Sequence, residues 1–500
     1  MNQQFSNHSF FAYGLRCLMI LSLVCATCLF GAQQRPVAAQ AEVLGANPAR
    51  PKAATDDTMI AYNKNSNELH LIQPDGGNHR MIWRIPEGAP GAIESIAWRP
   101  DAQQIAFASS HEATCSVWST DIYLINPDGS NLRRLTNGPA CAELAQYPQG
   151  SASVQIDNQL AGVSQLLVYI EGAPTAQVVT VAPGNTVLVA FPQVADFGAN
   201  VPQNVVAING GTRWFDAAVT ADITPGQNAH AGKLTLNSSG FTAFGAAHIS
   251  WNPEGTKLAF QFGTGRLWQI GLNAPSLNGG GPLLNPQTNN AILGSQPVWS
   301  PIDNQVLYER FDTSPFTVAR TEVDSNDPGT PLGKVTLTRG IAWLTDGAGF
   351  VVADEDALLA HADLYLMKFA DNSITQLTQT TGHQAALYPK VAADSSQLVY
   401  TYVPDLQADP VIPQVRIMNV DGSNDHLLAD NGFQSDWSRR APQVPTATAT
   451  PQDQPTATAT ATQPTQPTAT TTPQEQATPG VTPTPGNASS YRVFLPNVKR

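Results

Sequence analysis

Two cysteines are the first residues in this 500-residue sequence whose type and placement indicate a specific chemistry. Three of the five cysteines, Cys17, Cys25 and Cys28, fall within an N-terminal apolar segment, which leaves Cys115 and Cys141 as an even pair. In an oxidising compartment such a pair is expected to form a disulfide bond. Two unpaired buried thiols are the alternative.

Two acidic segments contain the oxygen ligands that hard cations bind. In the first, Asp354, Glu355 and Asp356 are adjacent and are candidates for a metal site, although we favour a solvated loop. The second, Asp324–Gly329, superficially resembles a calcium loop. Pro328 occupies a ligand position there and no Glu follows at the twelfth place, which argues against calcium.

Catalytic motifs are not found: the sequence contains no G-x-S-x-G, no H-E-x-x-H and no phosphate-binding loop. His248 and His383 each lie ahead of an apolar, strand-like segment, but at non-equivalent positions of the repeat described below. A zinc or manganese site needs three or more ligands with defined geometry. We therefore predict no catalytic residue, no metal and no cofactor, and we favour a binding protein over an enzyme.

A repeated segment has to position these residues. Ile96–Gly138 contains an aromatic anchor, short apolar strands such as IAF and DIYLI, and an NPDGSN turn, which together describe four strands joined by turns. From Trp251 onwards its copies are 44 to 48 residues apart, which is the length of one propeller blade. We expect the anchors to pack between adjacent blades rather than to stack on a ligand. They are Trp98, Trp251, Trp299, Trp343 and Trp437, with Val391 in the corresponding place of one copy.

The two ends of the repeat array complement each other. Thr58–Trp83 contains strands two, three and four of a blade but lacks the first, whereas Phe433–Ser438 contains only the first. If the C-terminal strand joins the N-terminal ones, the ring is closed and no sheet edge is exposed between the first and last blades. The prediction is an all-β fold, a six-bladed β-propeller whose C-terminal strand completes the first blade.

The turn and strand motifs resemble those of the TolB-like, WD40-like six-bladed propeller repeats. Five segments carry the resemblance: Trp98–Asp101, Asp128–Asn131, Trp251–Gly255, Trp299–Pro301 and Asp421–Asn424. The resemblance implies the propeller fold and contact with protein partners. It does not extend to TolB's own partners, because the inserted segment and the C-terminal stalk of this chain have no place in that pattern.

The remaining segments define the predicted domain organisation. Residues 58–145 and 246–440 form the propeller, and residues 146–245 form an inserted, small β-sandwich-like module, because short alternating strands are separated there by turn residues. Residues 1–41 are predicted to be a signal peptide with an Ala-Gln-Ala cleavage site. Residues 441–486 are a Pro/Thr-rich linker, and residues 487–500 are a short tail that either directs the protein to the surface or is a disordered end.

The charge and the loop lengths limit the possible partners. A net charge of −13 argues against nucleic acid, and the mature chain contains no apolar run long enough to span a membrane. The longer loops, Ser109–Thr120, Ala353–Ala362 and Val403–Pro413, all fall on the face that also carries the insertion, and long loops on a rigid scaffold often bind ligands. We call this the loop-rich face.

The resulting hypothesis is a secreted or surface-displayed scaffold that binds protein, peptide or glycan at the cell surface through the loop-rich face. Two alternatives stay open. One is an extracellular carbohydrate-active enzyme with a lyase-like propeller, and the other is a stalked structural protein whose inserted module does the binding.

Overall fold

The structure, a computed structural model, describes residues 58–162, 165–198, 201–242, 245–263, 265–272, 280–284, 292–313, 316–334, 338–356 and 361–440. The predicted signal peptide, linker and tail lie outside these residues. The regular secondary structure of the described residues is almost entirely β-strand, apart from short 3-10 helices at Ala113–Cys115 and Cys141–Gln146. No helix within the described ranges is long and apolar enough to cross a membrane.

Four-stranded antiparallel sheets follow one another along the chain, which is the architecture of a β-propeller. The first two contain β1 (Ile60–Lys64), β2 (Glu68–Ile72) and β3 (Arg80–Arg84), then β4 (Ile93–Trp98), β5 (Ile105–Ser109), β6 (Asp121–Ile125) and β7 (Arg133–Arg134). After the insertion come β16 (Ala246–Trp251), β17 (Lys257–Phe262), β18 (Arg266–Gly271) and β19 (Gly280–Pro282), followed by β20 (Gly294–Trp299), β21 (Gln305–Arg310), β22 (Thr317–Glu322) and β23 (Thr330–Lys334).

The last strands form one eight-stranded sheet. It contains β24 (Thr338–Trp343), β25 (Gly349–Asp356), β26 (His361–Lys368), β27 (Ile374–Gln376), β28 (Ala385–Val391), β29 (Gln397–Val403), β30 (Gln414–Asn419) and β31 (His426–Asp430). A single parallel pair, Ala362 with Ala385, joins β24–β27 to β28–β31. The count of six blades stays a prediction, since it requires this sheet to be two blades side by side.

The C-terminal strand completes the first sheet, as the sequence indicated. Strand β32 (Gly432–Trp437) pairs antiparallel with β1, with Ile60 opposite Trp437 and Lys64 opposite Gly432. Outside the sheet, the backbone N–H of Met59 donates to the Ser438 hydroxyl at 2.8 Å. Strand β1 therefore has partners on both sides, although 372 residues separate Ile60 from Gly432.

The insertion folds as two sheets that face one apolar core, the expected small sandwich. One sheet contains β8 (Gln149–Asn158), β11 (Thr186–Ala195) and β14 (Asn228–Leu236). The other contains β9 (Gln165–Ile170), β10 (Gln177–Thr180), β12 (Gln203–Asn209), β13 (Thr212–Ala221) and β15 (Phe241–Thr242).

The inserted module shares its core with the propeller. One continuous cluster of buried side chains contains Ala106 and Leu124 of the second propeller sheet together with Val154 and Val168 of the module. Trp118, which is 6% exposed, lies in the same cluster. The module is thus packed onto the propeller by apolar contact and is not a separately tethered unit.

Candidate functional site

The innermost strands line one central channel. Strands β4, β16, β20, β24, β28 and β32 each contribute the residue three places before their anchor position, so that these residues form a ring around the channel. We call this the channel ring. Its members are Ser95, His248, Gln296, Gly340, Tyr388 and Gln434.

A β-bulge aims these side chains into the channel. The pairing of β16 with β17 shifts register between Ala247 and Ser250, around His248, and equivalent shifts occur in β20, β24, β28 and β32. In β4 the shift lies one residue earlier, around Glu94, and Ser95 is paired with Ala108. His248, Gln296 and Tyr388 have φ angles of 50°, 52° and 50°, in the left-handed region that non-glycine residues seldom occupy. Bulges commonly redirect a side chain at a functional site, and the backbone strain is retained because the surrounding structure enforces it.

The channel is too narrow to enclose a substrate. The rings of His248 and Tyr388 approach each other across it with their centroids 6.2 Å apart. The free space between the inner strands is about 40 Å³, room for a few water molecules. Gly340 has a φ of +131°, and a Cβ atom there would lie 2.6 Å from the Tyr388 Cα. Tyr388 can therefore occupy the channel only because its neighbour lacks a side chain.

Charged groups surround the ring. Burial lowers the pKa of His248 to about 4, helped by the positive charges of Lys390 and Arg339, so the imidazole is neutral at pH 7. Burial raises the pKa of Glu94 to about 7, opposed by hydrogen bonds from Thr120 and Ser110. Arg339 forms a short ion pair with Glu355. The site therefore combines the neutral imidazole of His248 and the aromatic side chain of Tyr388 with the Arg339–Glu355 ion pair at its edge.

The acidic candidates are placed differently from the expected loop. Strand β25 continues through Asp356, so Asp354 and Glu355 lie within a paired strand, opposite Asp363 and Ala362. The Glu355 carboxylate accepts a hydrogen bond from the Arg339 guanidinium. The described part of the chain contains no group of three or more His, Cys, Asp or Glu arranged to hold a metal ion. The assignment of these carboxylates to a cation stays a prediction without support from this geometry.

The second acidic segment makes a turn held by its own atoms. The Gly329 N–H donates to the Asp327 carboxylate at 2.9 Å, and the Thr321 hydroxyl donates to the Asp327 carbonyl at 2.9 Å.

The two histidines singled out in the sequence lie in different parts of the structure. His248 lies in the channel ring, whereas His383 lies in the link before β28, where its carbonyl accepts from the Leu406 N–H at 2.8 Å.

Cys115 and Cys141 are bonded to each other, with their Cα atoms 6.2 Å apart, a normal separation for a disulfide. Beside them Glu112 accepts from the Cys141 N–H at 3.1 Å. The Arg134 guanidinium contacts Glu112 at 3.2 Å and donates to the Cys115 carbonyl at 3.0 Å. The disulfide is therefore part of a hydrogen-bonded network at the base of the insertion.

Two buried arginines hold this base together. Burial disfavours the charge of Arg134, but Asp121, Tyr169, Tyr123 and Glu112 together outweigh burial and raise the arginine pKa, so the cation persists. From the module, Arg213 donates to the carbonyls of Ser116 at 3.0 Å and Val117 at 3.2 Å. Both carbonyls belong to the loop Ser109–Thr120. That loop was expected to be an open binding loop, but the insertion covers most of it, and Ser116 and Val117 are fully buried.

Among the described residues of the loop-rich face, the loop Val403–Pro413 is open to solvent. Its residues Val411 and Ile412 are 41% and 49% exposed. Leu406 anchors the loop by packing on a small cluster that includes Ala385 and Leu387 of β28, next to Tyr388 of the channel ring. Through this cluster the loop is connected to Tyr388 of the channel ring.

The five anchor tryptophans are buried, with exposures of 3–7%. The indole N–H of Trp251 donates to the Ala97 carbonyl at 3.0 Å, and that of Trp343 donates to the Val298 carbonyl at 2.8 Å. Each bond joins the inner strand of one sheet to that of the preceding sheet. The tryptophans thus lie at the seams between sheets rather than in the channel.

Sequence reasoning missed most of the channel ring. Only His248 was singled out, because the types at the equivalent positions differ from one copy to the next. The constant offset of three residues from the anchor would have identified the other members. The groups at the base of the insertion gave no comparable signal, since Arg134 and Arg213 bind mainly backbone carbonyls.

Comparisons with known proteins identify similar structures only. No protein-family model matches the chain, and no curated protein matches it. A TolB from Acinetobacter baumannii is similar with 11% identity and a TM-score of 0.43, over 76% of this chain and 66% of that one. The nidogen/laminin complex matches with 8% identity and a TM-score of 0.40, over 76% and 98% of the two chains. An oligogalacturonate lyase in complex with manganese matches with 12% identity and a TM-score of 0.31, over 74% and 84%. TolB is thus among the similar solved structures, as the repeats indicated.

Proposed function

We propose that this chain is an exported scaffold that binds a protein or peptide partner at the mouth of its central channel, on the loop-rich face. The observation that carries the proposal is the channel ring: bulges in successive inner strands turn one residue of each toward the axis. The channel behind the ring is only about 40 Å³. A partner therefore engages the mouth from outside and does not enter a substrate cavity.

The chemistry of the mouth favours a polypeptide partner. Val411 and Ile412 are exposed apolar residues of the loop that Leu406 anchors in the same small cluster as Tyr388. Arg339, which is paired with Glu355, immediately precedes Gly340 of the channel ring. Aromatic, apolar and paired charged groups of this kind are typical of protein interfaces, where aromatic residues and Arg contribute most binding energy. A glycan at the mouth is the second option within the proposal. Export is supported by the signal-like N-terminus and by the Cys115–Cys141 bond.

A photo-crosslinking experiment tests this assignment. Benzoylphenylalanine is introduced at Ile412 in the full-length secreted protein, and the producing cells are irradiated. Ile302 provides a matched control, because it is an exposed isoleucine (60%) in the turn after Trp299, on the opposite face. We expect a discrete protein adduct from position 412 and none from position 302. Adducts of equal yield from both positions, or none from position 412, would overturn the proposal.

A variant connects the adduct to the ring itself. Tyr388→Leu removes the aromatic group that meets His248 across the channel, and we expect it to reduce the yield of the adduct at least fivefold. Circular dichroism of the same sample confirms that the fold persists. An undiminished adduct from the folded variant would place the partner away from the channel mouth.

A further inference from the structure

A second concave site lies between the two halves of the eight-stranded sheet. Its floor is one face of β29 and β30, and its wall is the link Leu377–Gln384 that connects β27 to β28. We call it the inter-sheet groove. Its volume of about 310 Å³ is at the lower end of small-molecule sites. No residue of the channel ring lines it.

The polar groups of the floor are held in fixed positions. Asp425 accepts from the Arg416 Nη2 at 2.9 Å and from the Tyr400 hydroxyl at 2.9 Å. Arg416 also lies over the Tyr402 ring, 5.4 Å from its centroid. Because each side chain is held by another, a ligand would meet groups that lose little freedom on binding.

The wall is fixed as well. Asp363 of β26 accepts from the Thr378 hydroxyl at 2.7 Å and from the Thr380 N–H at 2.8 Å. These bonds anchor the link at both sides of Gln379, whose own side chain is exposed. The groove is therefore a preformed cleft between two anchored surfaces.

The groove is polar but electrically balanced. Among the described residues that line the groove, only Arg416 and Asp425 are charged, and they neutralise each other as an ion pair at 2.9 Å. The remaining polar lining groups are hydroxyls and amides, including those of Gln379, Gln384 and Tyr402. An anion or a cation would gain no unpaired counter-charge here, whereas a neutral molecule rich in hydroxyl groups could both donate and accept hydrogen bonds.

An apolar base completes the lining. Met418 is fully buried and Leu377 is 9% exposed, and the half-buried Tyr402 presents part of its ring. A pyranose has the matching duality, because its C–H groups form an apolar face while its hydroxyls lie around the rim. Aromatic and aliphatic side chains contact the C–H face, and planar amide, guanidinium and carboxylate groups bind pairs of hydroxyls.

We propose that the inter-sheet groove binds a neutral pyranose unit of a saccharide. This site is independent of the partner proposed for the channel mouth. The saccharide would make contact with Gln379 and Gln384 on the wall and with Tyr402 and Arg416 on the floor. No bond is made or broken, so the groove is a binding site and not a catalytic one.

Saturation-transfer NMR and calorimetry on the full-length secreted protein test the proposal. The probes are methyl glycosides of glucose, galactose, mannose and N-acetylglucosamine, with galacturonate as a charged probe of the same size. We expect at least one neutral glycoside to bind, and galacturonate to bind at least tenfold more weakly. The proposal is overturned if no neutral glycoside binds, or if galacturonate binds equally well.

Two variants locate the site. Tyr402→Ala and Gln379→Ala should each weaken binding of the selected glycoside at least fivefold. Gln103→Ala, at an exposed glutamine in the turn between β4 and β5, is the matched control and should leave binding unchanged. Gln379 is exposed, so its variant keeps the test valid if Tyr402→Ala fails to fold. Unchanged binding in folded Gln379→Ala and Tyr402→Ala proteins would place the sugar elsewhere. Crosslinking from position 412 does not depend on this result, so each proposal can fail alone.

Discussion

The seams between propeller sheets and the base of the inserted module join β-sheets by different means. At a seam, a buried tryptophan packs between two sheets, and at Trp251 and Trp343 the indole N–H also bonds a carbonyl of the preceding sheet. At the base of the module, the buried cation Arg134 and a disulfide connect a loop to a link. The seams repeat one solution, whereas the base is a single site stabilised by charges. The comparison indicates that removal of one side chain should lower the free energy of unfolding most at the base of the module.

The largest effect is expected from Arg134→Met. Removal of the guanidinium leaves Asp121 and Glu112 without their cation, and breaking a buried ion pair in this way typically costs about 3–5 kcal/mol. Equilibrium urea denaturation of the purified protein measures the loss. Arg133→Met is the control, because the Arg133 side chain is adjacent in sequence but exposed. This substitution should change the free energy of unfolding by less than about 0.5 kcal/mol. If both variants lose the same free energy of unfolding, the buried arginine at the base of the module has no special role in stability.

The disulfide should contribute somewhat less. Replacing Cys115 and Cys141 together by serine opens a loop of 26 residues, and the chain-entropy model gives a loss of about 3.5 kcal/mol. Urea denaturation with and without a reductant measures it, since reduction should lower the stability of the wild type but not that of the variant. A wild-type protein insensitive to reductant would show that the charges alone hold the base.

A matched pair of tryptophans tests the seams. Trp251→Phe removes the hydrogen bond from the indole N–H to the Ala97 carbonyl, whereas the Trp299 indole nitrogen has no hydrogen-bond partner among the described residues. Trp251→Phe should therefore cost about 1 kcal/mol more than Trp299→Phe. Thermal and urea unfolding of both variants provide the comparison. If Trp299→Phe costs as much, packing and not the hydrogen bond determines the strength of a seam.

The smallest effect concerns pH and the channel ring. Histidine titrates near pH 6.5 in an unfolded chain but near pH 4 at His248. Between these pH values the imidazole is protonated in the unfolded state but not in the folded state. The free energy of unfolding therefore falls as the pH decreases from 6.5 to 4. Glu94 acts in the opposite direction, because its raised pKa costs stability as pH rises from 4.5 to 7. His248→Gln lacks only the first contribution.

Urea midpoints of the wild type and His248→Gln between pH 7 and 4.5 isolate that contribution, since both proteins retain Glu94. The variant should lose less stability than the wild type as the solution is acidified. Parallel profiles would show that His248 is not enclosed as described. Lys390 and Arg339, the cations that face His248, are the same in both proteins.

The seams and the base of the module also differ in how well the sequence predicts them. The seams were predictable because Trp251, Trp299 and Trp343 recur at nearly constant spacing, and a steady period is visible without three-dimensional information. Closure by Phe433–Ser438 was predictable because the first sheet lacked a strand. The base of the module was not: Arg134 and Arg213 bind carbonyls, which every residue has. The sequence therefore could not show that the insertion buries the loop Ser109–Thr120.

The channel ring and the inter-sheet groove were hidden for different reasons. The ring varies in residue type, so it is defined by position and becomes visible only when bulges aim these side chains at one axis. Arg416 lies within β30 and Asp425 lies in the turn before β31, and their pairing depends on how that turn folds back beside β30. Residue types alone do not determine either arrangement.

The pairing of β1 with β32 sets the order of events during biosynthesis. The edge of β1 receives its partner only after residue 437 has been made, so the ring cannot close while the ribosome is still translating the propeller. Closure depends on a contact of very long sequence separation, which is slow to form. Until then the N-terminal strands have an unpaired edge that is prone to aggregation. Under the export proposed above, this delay would keep the ring open until the last strand of the propeller has been made.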